Sequence, residues 1–147
     1  MQEPTGLEQL ICFELYAASR AMTGLYRPAL EAAGITYPQY VALRVIWQRT
    51  RISVRELGTI LQLDSGTLSP LLKRLETQGL ITRRRGTDDE RVVWITATPQ
   101  GSALQAQVAD LPQRLACALD LTAEDVTTLH TLLTRVRSAA ATKSTTL

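Results

Sequence analysis

At 147 residues, with 45% apolar and 20% charged side chains, the chain has the length and composition of one globular domain with a true core, not of a disordered one. No apolar run reaches the roughly 20 residues a membrane helix needs, and Met1 to Gly6 lacks the basic and apolar regions of a signal peptide, so the expectation is a cytoplasmic protein. The formal net charge of +2 is uninformative until its distribution is read: residues 44–91 hold ten basic against six acidic side chains, and the rest of the chain six against eight. Positive charge concentrated in one stretch is the electrostatic footprint of a nucleic-acid contact.

In chain order, the spacing predicts a first long helix from Leu7 to about Glu31, lined by Leu7, Leu10, Ile11, Leu15, Met22, Leu25 and Leu30, with Gly34 as its stop. Thr36-Tyr37-Pro38-Gln39 opens a second helix: Thr36 caps, Pro38 sits in the first turn, and Gln39 closes a capping box. Tyr40, Leu43, Val45, Ile46 and Trp47 supply its buried side, and Ile52 reads as a stub of strand. Ser53-Val54-Arg55-Glu56 reads as another capping box, opening a short helix with Val54, Leu57, Ile60 and Leu61 inward. Gln62 and Leu63 then turn into a helix capped by Asp64, with Leu68, Leu71, Leu72 and Leu75 on one face and Gly79 just past its end. Its other face carries Ser65, Thr67, Ser69, Lys73 and Arg74. Pro70 lies inside this helix, where it removes a hydrogen bond and is expected to bend the helix and shape the exposed surface.

Leu80 to Arg85 and Arg91 to Thr96 read as two strands joined by the polar loop Gly86-Thr87-Asp88-Asp89-Glu90. Helix, turn, helix and an arginine-bearing hairpin make a winged helix-turn-helix, a DNA-binding unit. Hydroxyls of Ser65, Thr67 and Ser69 suit base edges, while Lys73, Arg74, Arg84, Arg85 and Arg91 suit phosphates. Thr98-Pro99 caps a long helix through Leu104, Val108, Leu111 and Leu115, kinked at Pro112. Thr122 starts a last helix carrying Val126, Leu129, Leu132, Leu133 and Val136, and the Ala/Ser/Thr-rich run from Ser138 onward is expected to fray. The terminal helices offer more apolar surface than one small domain covers, which points to a two-fold dimer on a pseudo-palindromic site. The resulting division is an N-terminal dimerisation helix (1–34), a winged helix-turn-helix (35–98), C-terminal dimerisation helices (99–142) and a disordered tail (143–147).

Cys12 to Arg20, Tyr26-Arg27-Pro28, Ile35 to Tyr40, the Leu63-Asp64-Ser65-Gly66-Thr67-Leu68 run through Leu75, Gly79 to Arg83 and Asp88-Asp89-Glu90-Arg91 together resemble the MarR family of bacterial regulators. Within it they resemble the organic hydroperoxide resistance regulators, over about residues 7–140. Two positions depart from that pattern: Val92 stands where the wing usually has Ser, and Gln62 replaces a frequent aromatic.

Two cysteines outside any CxxC motif, and apart from His130, argue for free or redox-active thiols over a metal site. On residue chemistry alone, each could equally be a small buried apolar side chain, and each tyrosine an ordinary core residue. The resemblance implies that Cys12 is a peroxide sensor and that Tyr26 and Tyr37 donate hydrogen bonds to it. It also implies that Cys117 is the resolving cysteine, acting from the partner subunit. O–H donors favour a thiolate, which is the nucleophile, and apolar walls from Phe13, Leu15 and Tyr16 would suit an organic hydroperoxide. No cofactor is implied. The expectation is a homodimeric, peroxide-responsive repressor and not an enzyme. Two alternatives stay open: a repressor released by a small aromatic ligand, and a Cys12-dependent thiol peroxidase.

Overall fold

The computed structural model describes Gly6 and residues 10–143. It contains seven helices and three strands: α1 Ile11–Ala32, α2 Tyr37–Trp47, β1 Ile52–Ser53, α3 Val54–Leu61, α4 Ser65–Thr77, β2 Ile81–Arg85, β3 Val93–Ala97, α5 Pro99–Gln107, α6 Leu111–Ala118 and α7 Ala123–Lys143. No described helix is long and apolar enough to cross a membrane. The chain forms two compact units, one running to Leu111 and the other from Pro112. The first holds the helix-turn-helix and the wing.

Local sequence accounts for most boundaries. The Thr36 box forms in full: Thr36 Oγ1 accepts from the Gln39 N–H, and the Thr36 N–H donates to Gln39 Oε1 at 2.8 Å. Asp64 Oδ1 accepts from the Thr67 N–H at 2.8 Å. Gly34 and Gly79 adopt φ of +74° and +75° just beyond α1 and α4, where a side chain would be strained. Gln62 turns α3 into α4 with φ of +55°, an unusual conformation for a residue with a Cβ.

The core of the first unit comes from α2, α3, α4 and the sheet. Leu43, Leu57, Leu72, Leu75, Ile52 and Ile95 have no exposed surface, and Ile46 and Ile81 are nearly as enclosed. Burial of each such side chain contributes about 1.5–3 kcal/mol. The sheet order is β1-β3-β2, antiparallel throughout, with Ile52 opposite Ile95 and Arg83 opposite Ile95 on the other side. The stub of strand expected at Ile52 is present.

Several expectations need correction. Only the first half of the Ser53 box forms: Ser53 Oγ accepts from the Glu56 N–H at 3.1 Å, but the Glu56 carboxylate pairs with Arg49 at 2.6 Å instead of reaching back. Ile60 is exposed, not inward. Pro112 does not kink one long helix; α5 ends at Gln107 and a separate α6 begins at Leu111. Its ring would clash with the carbonyl of Val108, and it brings no N–H to hold the turn. By contrast α4 runs on through Pro70, at the loss of one backbone hydrogen bond. The Ala-rich run after Ser138 continues α7 to Lys143, in keeping with the helix propensity of alanine. Leu7 and the tail beyond Lys143 lie outside the described residues.

Candidate DNA interface and thiol site

The buried stripe Leu68, Leu71, Leu72 and Leu75 fixes which way α4 faces. It leaves Ser65, Thr67, Ser69, Pro70, Lys73 and Arg74 exposed. Between α3, α4 and the wing lies a groove of about 1030 Å³, with Arg55, Thr59, Ser65, Ser69, Arg83 and Arg91 among its walls. Two of the hydroxyls singled out in the sequence thus share one concave surface with an arginine of the wing. Arg55 and Thr59 were not singled out, although their i, i+4 spacing on the α3 face opposite Leu57 was there to be read.

The wing arginines divide by partner. The Arg83 backbone N–H and guanidinium both donate to the Glu76 carboxylate, at 3.1 to 3.4 Å, tying β2 to the end of α4. The side-chain hydrogen bond from Arg83 is the main reason the Glu76 carboxyl titrates below its ordinary value of 4.5. Arg91 donates through Nε and its backbone N–H to Asp89 Oδ1, at 3.1 and 3.0 Å, and holds that carboxyl low in the same way. Arg85 donates to the Glu90 carbonyl oxygen at 3.3 Å. Arg84 is exposed on β2, and its guanidinium makes no ion pair among the described residues.

Cys12 and Cys117 are both free and exposed. Cys12 and Tyr26 lie on the same helix, separated by about 21 Å of helix rise. Tyr26 therefore cannot donate to the Cys12 thiol of its own chain. It belongs instead to a cluster with Tyr37 and Tyr40, with ring centroids 5.2 Å from Tyr37 and 5.5 Å from Tyr40. Burial, then the neighbouring Tyr40 and Tyr37, push the Tyr26 phenol above 10.0, against a smaller opposing pull from Arg44. At neutral pH it is a hydrogen-bond donor. The Tyr40 hydroxyl is enclosed without a hydrogen-bond partner among the described residues. Phe13 and Tyr16 line a shallow groove of about 460 Å³ along α1 with Arg20, whose guanidinium lies 5.5 Å from the Tyr16 ring centroid. Leu15 is half-buried and is not part of that groove. Among the described residues no cluster of His, Cys, Asp or Glu could hold a metal ion.

A second helix, α4, with an exposed polar face, a charged hairpin beside it and a short sheet behind define a winged helix-turn-helix protein. The MarR family model matches residues 35–93. The organic hydroperoxide resistance transcriptional regulator of Bacillus subtilis (strain 168) is 46% identical over 127 residues, covering 86% of each chain. The regulator MgrA of Staphylococcus aureus is 34% identical over 137 residues, 92% of this chain and 93% of that one. Reduced AbfR of Staphylococcus epidermidis, solved bound to DNA, superposes with a TM-score of 0.76 at 31% identity, covering 92% of this chain and 94% of that one. The chain belongs to the MarR family of transcriptional regulators.

Proposed function

We propose that the protein is a peroxide-responsive repressor that binds operator DNA as a reduced homodimer and leaves it when Cys12 is oxidised. The observation that carries this reading is the placement of Cys12: an exposed thiol on a helix whose apolar residues Ile11, Met22 and Leu25 are themselves exposed, far from its own Tyr26. A second copy laid along α1 would cover that face and bring its own Tyr26 and Tyr37 to the thiol. The Bacillus relative is named for organic hydroperoxide resistance, and residues 1–34 and 99–142 would serve the dimer. In this reading Ser65, Thr67 and Ser69 read bases, while Lys73, Arg74, Arg84, Arg85 and Arg91 meet phosphates.

The chemistry balances without a cofactor. The Cys12 thiolate attacks the distal oxygen of an alkyl hydroperoxide; an S–O bond forms, the O–O bond breaks, and the peroxide leaves as an alcohol after taking a proton. Sulfur is oxidised by two electrons to a sulfenic acid. The Cys117 thiol of the second copy then attacks that sulfur and expels water, giving an intersubunit disulfide. Disulfide Cα atoms lie within about 7 Å, so closing the bond constrains where the subunits can sit. A two-state dimer biased in this way releases DNA.

A DNA-shift assay on the upstream region, run with reductant, hydrogen peroxide or an organic hydroperoxide, tests the reading. Wild type should bind under reductant and release with the organic hydroperoxide. Cys12→Ser should bind and stay bound. A Cys12→Ser protein that still lets go on oxidation would sink the sensor assignment. Release by a small aromatic compound in the presence of reductant would favour ligand control instead.

A further inference from the structure

The solvent face of the sheet carries a feature that the helix and groove do not use. Trp94 pairs with Ser53 on one side and Arg84 on the other. Residues directly opposite in register share one face of the pleat, here the face away from buried Ile52, Ile81 and Ile95. Arg51, just before β1, lays its guanidinium over the Trp94 ring with Cζ 4.1 Å from the centroid. Arg51, Arg84, Arg85 and Trp94 line a concavity of about 320 Å³. It adjoins the groove walled by Arg83 and Arg91 through Asp89 and Val92, but Arg51, Arg84, Arg85 and Trp94 line this concavity alone. Asp88 and Asp89 also line it, but the Asp89 carboxylate is taken by Arg91. Neither Arg51 nor Arg84 has an ion pair among the described residues.

We propose that Arg51, held over the Trp94 ring, is a DNA phosphate contact on the outer face of the sheet, beside the groove that α4 lines. The inference rests on the DNA-binding reading above. A guanidinium stacked on an indole keeps its edge N–H groups free while the ring fixes its orientation, and the planar fork matches two phosphate oxygens. With α4 in the major groove, as the second helix of a helix-turn-helix lies, a cation on the sheet face turned away from the core is placed to meet backbone and not the bases that α4 would read. Arg84 and Arg85 add charge of the sign such a backbone requires. Arg51 is a positioned contact to backbone and carries no base preference.

The test measures affinity against salt for the full chain on a long duplex and on one trimmed at both ends. On the long duplex, Arg51→Ala should reduce the salt slope by about two per dimer, one phosphate for each protomer, with sequence preference unchanged. Trimming the flanks should cost wild type the same amount and cost Arg51→Ala nothing more. Trp94→Leu keeps the charge but loses the platform, and should weaken binding to the long duplex only. Arg51→Lys should retain most of the slope. An Arg51→Ala protein with wild-type slope and affinity on the long duplex would overturn the proposal. So would an equal loss on both duplexes, because Arg51 would then act by bracing the sheet. If wild type binds neither duplex, the DNA-binding reading falls first; if it binds both and only the Arg51 variants are silent, this inference alone falls.

Discussion

A β carbon on Gly101 would stand 2.0 Å from the Leu80 carbonyl oxygen, so the start of α5 and the entry to the wing touch backbone to backbone. Thr98 caps that helix by accepting from the Gly101 N–H at 3.0 Å, and the Trp47 indole donates to the Gly101 carbonyl at 2.9 Å. The cap was legible, because its chemistry is confined to four consecutive residues. The need for glycine was not, because Leu80 comes from a distant part of the chain. The same distinction separates Asp64, whose capping role follows from local spacing, from Arg51, whose stacking on Trp94 depends on sheet register. Gly101→Ala should cost about 3 kcal/mol and lower the melting temperature by about 10 °C, because only a backbone shift can relieve the overlap. Thermal unfolding followed by far-UV circular dichroism measures this. A midpoint within about 2 °C of wild type would mean the approach is easily relaxed.

Between elements, a chain of amides joins the start of α2 to the end of α4. Gln39, only 4% exposed, accepts from the Thr36 N–H and donates through Nε2 to Gln78 Oε1 at 2.9 Å. Gln78, the C-cap of α4, donates through its own Nε2 to the Gly34 carbonyl at 2.9 Å. The residue after Thr36 is Tyr37 of the aromatic cluster, so the bridge begins one residue from that cluster and ends at the C-cap of α4. Half of it, the Thr36–Gln39 box, could be read from sequence; the bond to Gln78 could not, since nothing local marks two glutamines as partners. The Pro112 break shows the reverse case: the residue stands out in the sequence, but α4 continues through Pro70 while α6 starts afresh at Leu111, next to Pro112, and no local signal separates the two. Gln78→Leu should destabilise by about 1–3 kcal/mol by leaving a buried amide unpaired. The Gln39→Leu/Gln78→Leu double variant should then cost at least about 1 kcal/mol less than the two singles together. Urea unfolding of the four proteins closes the cycle. Additivity within about 0.5 kcal/mol would mean the bridge contributes no coupling.

For the molecule as a whole, the sequence correctly pointed to a winged helix between long terminal helices, because the caps and apolar spacings of the central unit agree with one another. The terminal helices were harder to read, since Leu30 and Leu104 join the core while other apolar residues of α1 and α7, such as Ile11, Met22, Leu25, Val126 and Leu129, stay exposed. Val126, Leu129, Leu132 and Val136 of α7 are each between 42% and 48% exposed, and no residue of that helix is buried. Val126, Leu129, Leu133 and Val136 follow the alternating three-and-four spacing that a partner helix buries. A patch of this kind on a free monomer would be an aggregation liability, whereas an isologous dimer covers it. Reduced wild type should therefore sediment at twice the 16.2 kDa of one chain. Leu129→Arg places a charge in the middle of the stripe, where burial without a partner is costly. It should shift the protein to monomer and weaken operator binding by about 100-fold or more, because each half-site is then bound without the effective concentration supplied by the other. The α2–α4 core does not include Leu129, so the monomer should keep its helical spectrum. A variant that remains a dimer of wild-type affinity would move the interface away from α7.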